Sequence, residues 1–273
     1  MEIIRHYACL SSDALCNFLN QNKISFHHDV LSVENSRIYF DISENHPFFS
    51  ELLNFELNDC VITKQTKYSK KELKTARWLT CTPTSAKVNL VNQEKTFRVY
   101  EEYDTGKSRH RILSGMPFFV SKPVTHNAKQ HFFTSHEATN QLFCTEYAKT
   151  VLQGMNLSVS FEPVLHGKTE LPIGDLYAVH MQYILPLEAL ELSNSEETFV
   201  CPVCGTPTFL PPLTLQVREE HLRDIPSICR TEAIFGWGGN YAAPMIIMSH
   251  ELYSVLTENN LLRGLEIEPV CLV

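Results

Sequence analysis

The chain has 273 residues, 44% of them apolar and 20% charged, with 16 Phe, 10 Tyr and a formal net charge of −8. So many aromatic residues exclude an intrinsically disordered chain, and the acidic balance opposes a protein that grips nucleic acid by its phosphate backbone. No run is long and apolar enough to span a bilayer, and MEIIRHYACLSSDALC lacks the apolar core and small-residue cleavage site of a signal peptide.

Nine cysteines (Cys9, Cys16, Cys60, Cys81, Cys144, Cys201, Cys204, Cys229 and Cys271) make an odd, scattered set. Without an export signal they are expected as reduced thiols of a cytoplasmic protein, most of them acting as small buried hydrophobes.

The opening third reads as mixed α and β. Ser11-Ser12-Asp13 precedes Leu15, Phe18 and Leu19, which share one helical face. SRIYFDI (36–42) alternates like a strand, and Asn45-His46-Pro47 opens a short helix in PFFSELLNF. In YSKKELKTARWL, Ser69 and Glu72 fit a capping box, with Tyr68 and Leu73 as its hydrophobic staple. Leu73, Ala76 and Leu79 continue the buried face, so the helix is predicted to run to about Cys81-Thr82-Pro83. KVNLVNQEKTFRVYEEYD reads as a hairpin turning at Asn92-Gln93. Charge collects in DTGKSRHR (104–111), a solvated loop that separates an N-terminal α+β domain, 1–110, from a C-terminal α+β domain, 111–273. A nucleic-acid surface would need Lys107, Arg109, Arg111 and Lys122 on one face.

The second domain carries an internal similarity. FFTSHEATNQLFCTEYAKTVLQGMNLSVSFEPV (132–164) matches IIMSHELYSVLTENNLLRGLEIEPV (246–270) in order: an apolar run, Ser-His-Glu, a helical stretch, a glycine, and a strand closing on Glu-Pro-Val. The paired positions are Ser135/Ser249, His136/His250, Glu137/Glu251, Gly154/Gly264 and Glu162-Pro163-Val164/Glu268-Pro269-Val270. Each serine is expected to cap a helix and each glycine to supply a left-handed turn, giving two β-helix-β units with crossover helices. Ser-His-Glu therefore reads as a cap rather than as catalytic machinery, because neighbours along a chain do not normally face one another.

Between the copies, a strand from Asp175 to about Leu185 precedes FVCPVCG, and Pro211-Pro212 marks the start of a strand over Leu213–Val217. Two cysteines three residues apart with a following glycine suit a metal-binding turn. Cys201 and Cys204 would need further ligands. Cys229 is the first choice and His221 the second, with His180 and His166 behind them. One structural zinc on Cys201, Cys204, Cys229 and His221 is one reading. A metal-free knuckle held by packing, unligated thiols and a labile disulfide are the others. A reactive redox pair is disfavoured, because GTPTFLPPLT cannot begin the helix that would lower a thiol pKa. His126 and His131 in HNAKQHFF, five residues apart with no carboxylate between them, add little to a metal reading.

FGWGGNYAAP (235–244) offers Trp237 and Tyr241 on a glycine-rich loop, either as partner-binding residues or as aromatics that finish the core. The sequence contains no GxGxxG, Walker, HExxH or GxSxG motif.

Cys201-Pro202-Val203-Cys204-Gly205 and, more loosely, the terminal IIMSHELYSVLTENNLLRGLEIEPV resemble the bacterial double-CXXCG proteins, some of which are immunity proteins against contact-delivered toxins. Members of that group are similar in having two CxxCG knuckles, and this chain has one. The resemblance implies a non-catalytic cytoplasmic binding protein whose partner is a protein, a basic toxin, recognised by shape and opposite charge. Neither nucleic acid nor membrane is an expected partner. The alternative is an enzyme of unfamiliar, hydrolase-like type, with a site near Trp237 and Glu and His residues from distant segments. The expected fold is α+β, with a mixed sheet or sheets, crossover helices, an internal β-helix-β duplication and the CxxCG knuckle inserted in a loop.

Overall fold

The computed structural model describes every residue except 31–35, 56, 58, 85–86, 93–94, 96, 100–110, 114–116, 125–128, 139–140, 156, 194–196, 201–206 and 237–241, and the side chains of 30, 63, 97–99, 111–113 and 198–199. The chain separates into two compact units, Met1–Glu72 and Leu73–Val273. The charged stretch 104–110 that was expected to mark a boundary lies outside the described residues.

In the N-terminal unit the order is β1 (Glu2–Leu10), α1 (Asp13–Gln21), β2 (Phe26–Val30), β3 (Ser36–Ser43), α2 (Phe49–Leu52) and β4 (Val61–Lys67). The strands lie in the order β2-β3-β1-β4 and every neighbouring pair is antiparallel. Two β-α-β crossovers thus each leave a gap that a strand from the other fills, which is the ferredoxin-like arrangement. Helix α1 starts where the sequence places it: the Ser12 hydroxyl accepts from the Leu15 amide at 3.2 Å, and Leu15, Phe18 and Leu19 are buried. They meet Tyr7, Cys9, Ile38, Phe40 and Ile42 from one face of the sheet, together with Phe49 and Leu52 of α2. Burial of each such side chain contributes about 2 kcal/mol, so Leu19→Ala alone would remove a large part of the helix's hold.

Cys9 and Cys60 form a disulfide between β1 and the residue just before β4. This corrects the expectation of reduced thiols for Cys9 and Cys60, while Cys16, Cys81, Cys144, Cys229 and Cys271 are free. The cause is register: Ala8 pairs with Val61, which sets the preceding residue of β4 opposite Cys9. No helix among the described residues is long and apolar enough to cross a membrane.

The C-terminal unit contains two larger sheets. The first runs β10 (Phe132–Phe133), β11 (Leu142–Thr145), β13 (Pro172–Met181), β12 (Val159–His166), β9 (Phe119–Val120) and β6 (Leu90–Val91). The second runs β15 (Glu197–Val200), β16 (Pro207–Phe209), β18 (Ile228–Phe235), β19 (Ala243–Ser249), β5 (Trp78–Pro83) and β20 (Leu265–Pro269), with β14 (Ile184–Leu185) also on β18. Small ribbons join β7 (Phe97–Val99) to β8 (Arg111–Leu113) and β17 (Gln216–Val217) to β21 (Cys271–Leu272). Parallel pairs occur at β9–β12, β14–β18, β16–β18 and β17–β21, and the other pairs are antiparallel, so the fold is α+β with mixed sheets and interspersed helices.

Each large sheet holds a strand-helix-strand unit. In the first, β11 leads through α4 (Glu146–Gln153) to β12, and both strands run antiparallel to β13 between them. In the second, β19 leads through α5 (His250–Glu258) to β20, and both flank β5. Thr145 caps α4 by accepting from the Ala148 amide, and Ser249 caps α5 by accepting from the Leu252 amide. In both, the buried helix residues fall three and seven positions after the cap: Ala148 and Leu152, then Leu252 and Leu256. All four join one core with Leu79, Cys81, Leu142, Cys144, Val179, Ile246 and Met248.

Several local expectations need correction. The hydroxyl that caps the helix in the first strand-helix-strand unit belongs to Thr145, not to Ser135. A whole strand, β11, intervenes between Phe132-Phe133 and the helix, and Ser135 lies buried between β10 and β11, accepting from the Glu137 amide at 3.1 Å. Gly264 is left-handed (φ +85°), whereas Gly154 is an ordinary αR cap at φ −68°. The helix begun by the Ser69–Glu72 box forms, with the Ser69 amide donating to Glu72 at 2.8 Å and the Glu72 amide to Ser69 Oγ at 3.2 Å. It nevertheless stops at Thr75 in α3 (Lys70–Thr75), and Trp78–Pro83 is strand β5. Trp78, Leu79, Thr80 and Cys81 are all buried, and a central strand covered on both faces buries four consecutive residues where a surface helix cannot. The hairpin at Asn92 does not form, because β6 pairs with β9 and β7 with β8 in separate sheets.

Candidate functional site

Two surfaces combine concavity with converging polar groups. The first is the face of the N-terminal sheet that the helices leave uncovered. Along β3 the buried residues Ile38, Phe40 and Ile42 alternate with exposed Tyr39 and Asp41. Register carries that alternation across the sheet, with His27 opposite Tyr39, Tyr39 opposite Ala8 and Ala8 opposite Val61. One residue-pair along, Asp41 lies opposite His6, and His6 Nδ1 is 2.5 Å from Asp41 Oδ1. Tyr39 is 40% exposed and Val61 57%, while 63% of the Asp41 side chain is open to solvent. The His27 and Tyr39 rings sit with centroids 6.4 Å apart. The concavity over this face measures about 820 Å³ and reaches His46. Beneath it Tyr7 stacks on Phe40 at 4.8 Å. Burial pushes the Tyr7 phenol up, against the opposing pull of Arg5.

The second surface lies in the C-terminal unit, where the lead-in to β10, the start of α4 and the end of α5 surround a cleft of about 900 Å³. Lys129, His131, Tyr147, Asn259, Asn260 and Arg263 face it. His131 Nδ1 is 2.9 Å from Thr145 Oγ1, the hydroxyl that caps α4, and the His131 and Tyr147 rings are 5.0 Å apart.

A smaller cavity of about 70 Å³ is lined by Gln141, His180, Met181 and Arg230. His180 is held 3.2 Å from Glu162. Arg230 Nε is buried without a hydrogen-bond partner among the described residues, and desolvation pulls its guanidinium pKa down.

The sequence-predicted sites fare differently. The expected structural zinc is overturned: among the described residues no three His, Cys, Asp or Glu side chains gather where they could hold a metal ion. Cys229, the intended third ligand, sits on β18 turned into a core with Trp78, Leu185, Phe235 and Ile247. Burial pushes its thiol up to about 12, away from the thiolate that a metal requires. His221 lies in a single 3₁₀ turn, Glu219–Leu222. His166 Nδ1 accepts within its own turn from the Lys168 and Thr169 amides. Spacing along the chain suggested Cys229, whereas strand alternation decides which way it points. Cys201 and Cys204 lie outside the described residues, in the connection between the antiparallel strands β15 and β16. Trp237 and Tyr241, and with them the enzyme site expected nearby, also lie outside the described residues, as do His126, Lys107 and Arg109. Sequence reasoning missed both concave surfaces. The alternation in SRIYFDI was the available signal for the first, since its solvent-facing set includes a tyrosine.

No family model matches the chain, and no curated protein matches it.

Proposed function

We propose that the chain is a non-catalytic binding protein that receives a protein partner on the uncovered face of its N-terminal sheet. The supporting observation is the contrast between the two faces of β3: one buried under α1 and α2, the other presenting Tyr39 and Asp41 to solvent. An antiparallel sheet tolerates one wet face. Broad aromatic and aliphatic surface from Tyr39 and Val61, set beside imidazoles and a carboxylate, is the mixture found at interfaces. Asp41 favours a partner that offers Lys or Arg there and repels nucleic-acid phosphates. A basic toxin, the partner class implied by the double-CXXCG resemblance, has that chemistry. In the same reading, the two strand-helix-strand units are copies of one building block, aligned on Thr145 and Ser249, and they serve as scaffold.

Photo-crosslinking in the cell of origin tests the site, with benzoylphenylalanine placed at position 39, at position 61, or at exposed Ile184 in the C-terminal unit. A discrete protein adduct is expected from 39 and 61 and not from 184. Adducts from 184 alone would contradict the proposal.

A further inference from the structure

We infer that the cavity beside Arg230 is a binding site for a small planar monoanion of the carboxylate or bicarbonate class. It lies where the two large sheets of the C-terminal unit meet: Leu142 and Val179 come from the first, Arg230 and Ile246 from the second. Its volume, about 70 Å³, has room for an ion of about three or four heavy atoms and none for a sugar or a base.

The charge at this cavity is unanswered. Arg230 Nε is buried, and among the described residues no side chain bonds to or pairs with the guanidinium. The described lining residues include no carboxylate. Glu162, on the neighbouring strand β12, is engaged instead with His180, whose Nε2 lies 3.2 Å from its Oε2. The Leu142 and Val179 carbonyls already accept from Gln141 Nε2 at 2.9 and 2.8 Å. Arginine stays protonated even when desolvated, so a full positive charge shares the cavity with Leu142, Val179 and Ile246.

The backbone holds that charge in place. Arg230 lies opposite Ile184 of β14 on one side and Ile246 of β19 on the other, and its amide donates to the Tyr183 carbonyl at 3.3 Å. The guanidinium offers a planar fork of N–H donors that matches the two oxygens of a carboxylate edge, and such a pair is stronger among apolar walls than in water. A spherical halide meets the fork less well, and a dianion would bring one charge too many. The site is independent of the protein-docking face, which belongs to the other unit.

NMR of isotope-labelled formate, acetate and bicarbonate, each titrated with the full chain, tests the inference, with sodium chloride as competitor. At least one of the three is expected to show saturable line broadening with a dissociation constant of about 1–20 mM, and chloride to displace it only at concentrations at least about tenfold higher. Arg230→Met and Arg230→Lys, the second keeping a charge but losing the fork, are each expected to weaken the binding at least about tenfold. The same anion should raise the urea midpoint of the parent protein and leave that of Arg230→Met unchanged. The inference is overturned if none of the three anions binds up to about 100 mM, if chloride binds as tightly as they do, or if neither substitution weakens the binding.

Discussion

Gly154 and Gly264 occupy matching places in the sequence, each after a helix and before a strand, yet replacing each by alanine is expected to have opposite effects. At Gly264, φ is +85°, a region where a Cβ costs about 1–2 kcal/mol. The new Cβ would also lie 2.8 Å from Gln130 Nε2 and 3.3 Å from its Cγ. Gln130 has little room to yield, because it is buried and its Oε1 accepts from Lys87 Nζ at 2.9 Å. Disturbing that charge-assisted bond adds about 1–2 kcal/mol, for a total loss near 2–4 kcal/mol. At Gly154 the backbone is αR and the nearest atom to a new Cβ is the Val151 carbonyl oxygen at 3.4 Å, an ordinary contact. Gly154→Ala should therefore be neutral or stabilise by about 0.5–1 kcal/mol through the unfolded chain. Urea unfolding of the two variants beside the parent protein, followed by intrinsic fluorescence, measures the difference. A Gly264→Ala variant within about 0.5 kcal/mol of the parent would refute the reasoning, as would equal losses at both positions.

Reduction of Cys9–Cys60, 51 residues apart, should cost the N-terminal unit about 4 kcal/mol on the chain-entropy model; hydrogen exchange should show β1 and β4 amides losing protection while β12 and β13 keep theirs. Burial pushes Cys81 and Cys229 up to about 12 and raises Cys144 further, against 9.0 unfolded, so above pH 9.0 the unfolded chain loses protons that the native chain keeps. Stability should then fall with rising pH by about 1.4 kcal/mol per unit for each thiol, and Cys229→Ala should flatten the measured slope by one such share. Arg230→Met removes a desolvated charge with no ion pair among the described residues and should raise stability by about 1–2 kcal/mol, read as an increase in urea midpoint; a decrease would mean that the guanidinium is compensated.

Local chemistry was legible in the sequence wherever neighbours along the chain decide it. Ser12 and Ser249 cap their helices, the Ser69–Glu72 box closes, and SRIYFDI is a strand whose buried and exposed residues alternate. What failed depends on partners distant in sequence. WLTCTP looks helical beside a good cap, but its place between β19 and β20 in a seven-stranded sheet, with Trp78 facing one core and Leu79 and Cys81 the other, makes it a strand. Ser-His-Glu recurs in the letters, but a helix cap here needs a hydroxyl with buried residues three and seven positions later, which Thr145 and Ser249 satisfy and Ser135 does not. The ferredoxin-like topology was not legible, because strand order across a sheet leaves no mark in the alternation of any single strand. For the same reason Cys229 passed for a ligand: its chain distance from Cys204 says nothing about the face of β18 on which it falls.

The most direct measurement is the dissociation constant of the crosslinked partner, once purified, for the parent protein and for Tyr39→Glu. Because Tyr39 faces solvent, the substitution should leave the fold intact while weakening binding at least about tenfold, mainly through faster dissociation. Equal affinities for the two proteins would contradict a docking role for the open face of the N-terminal sheet.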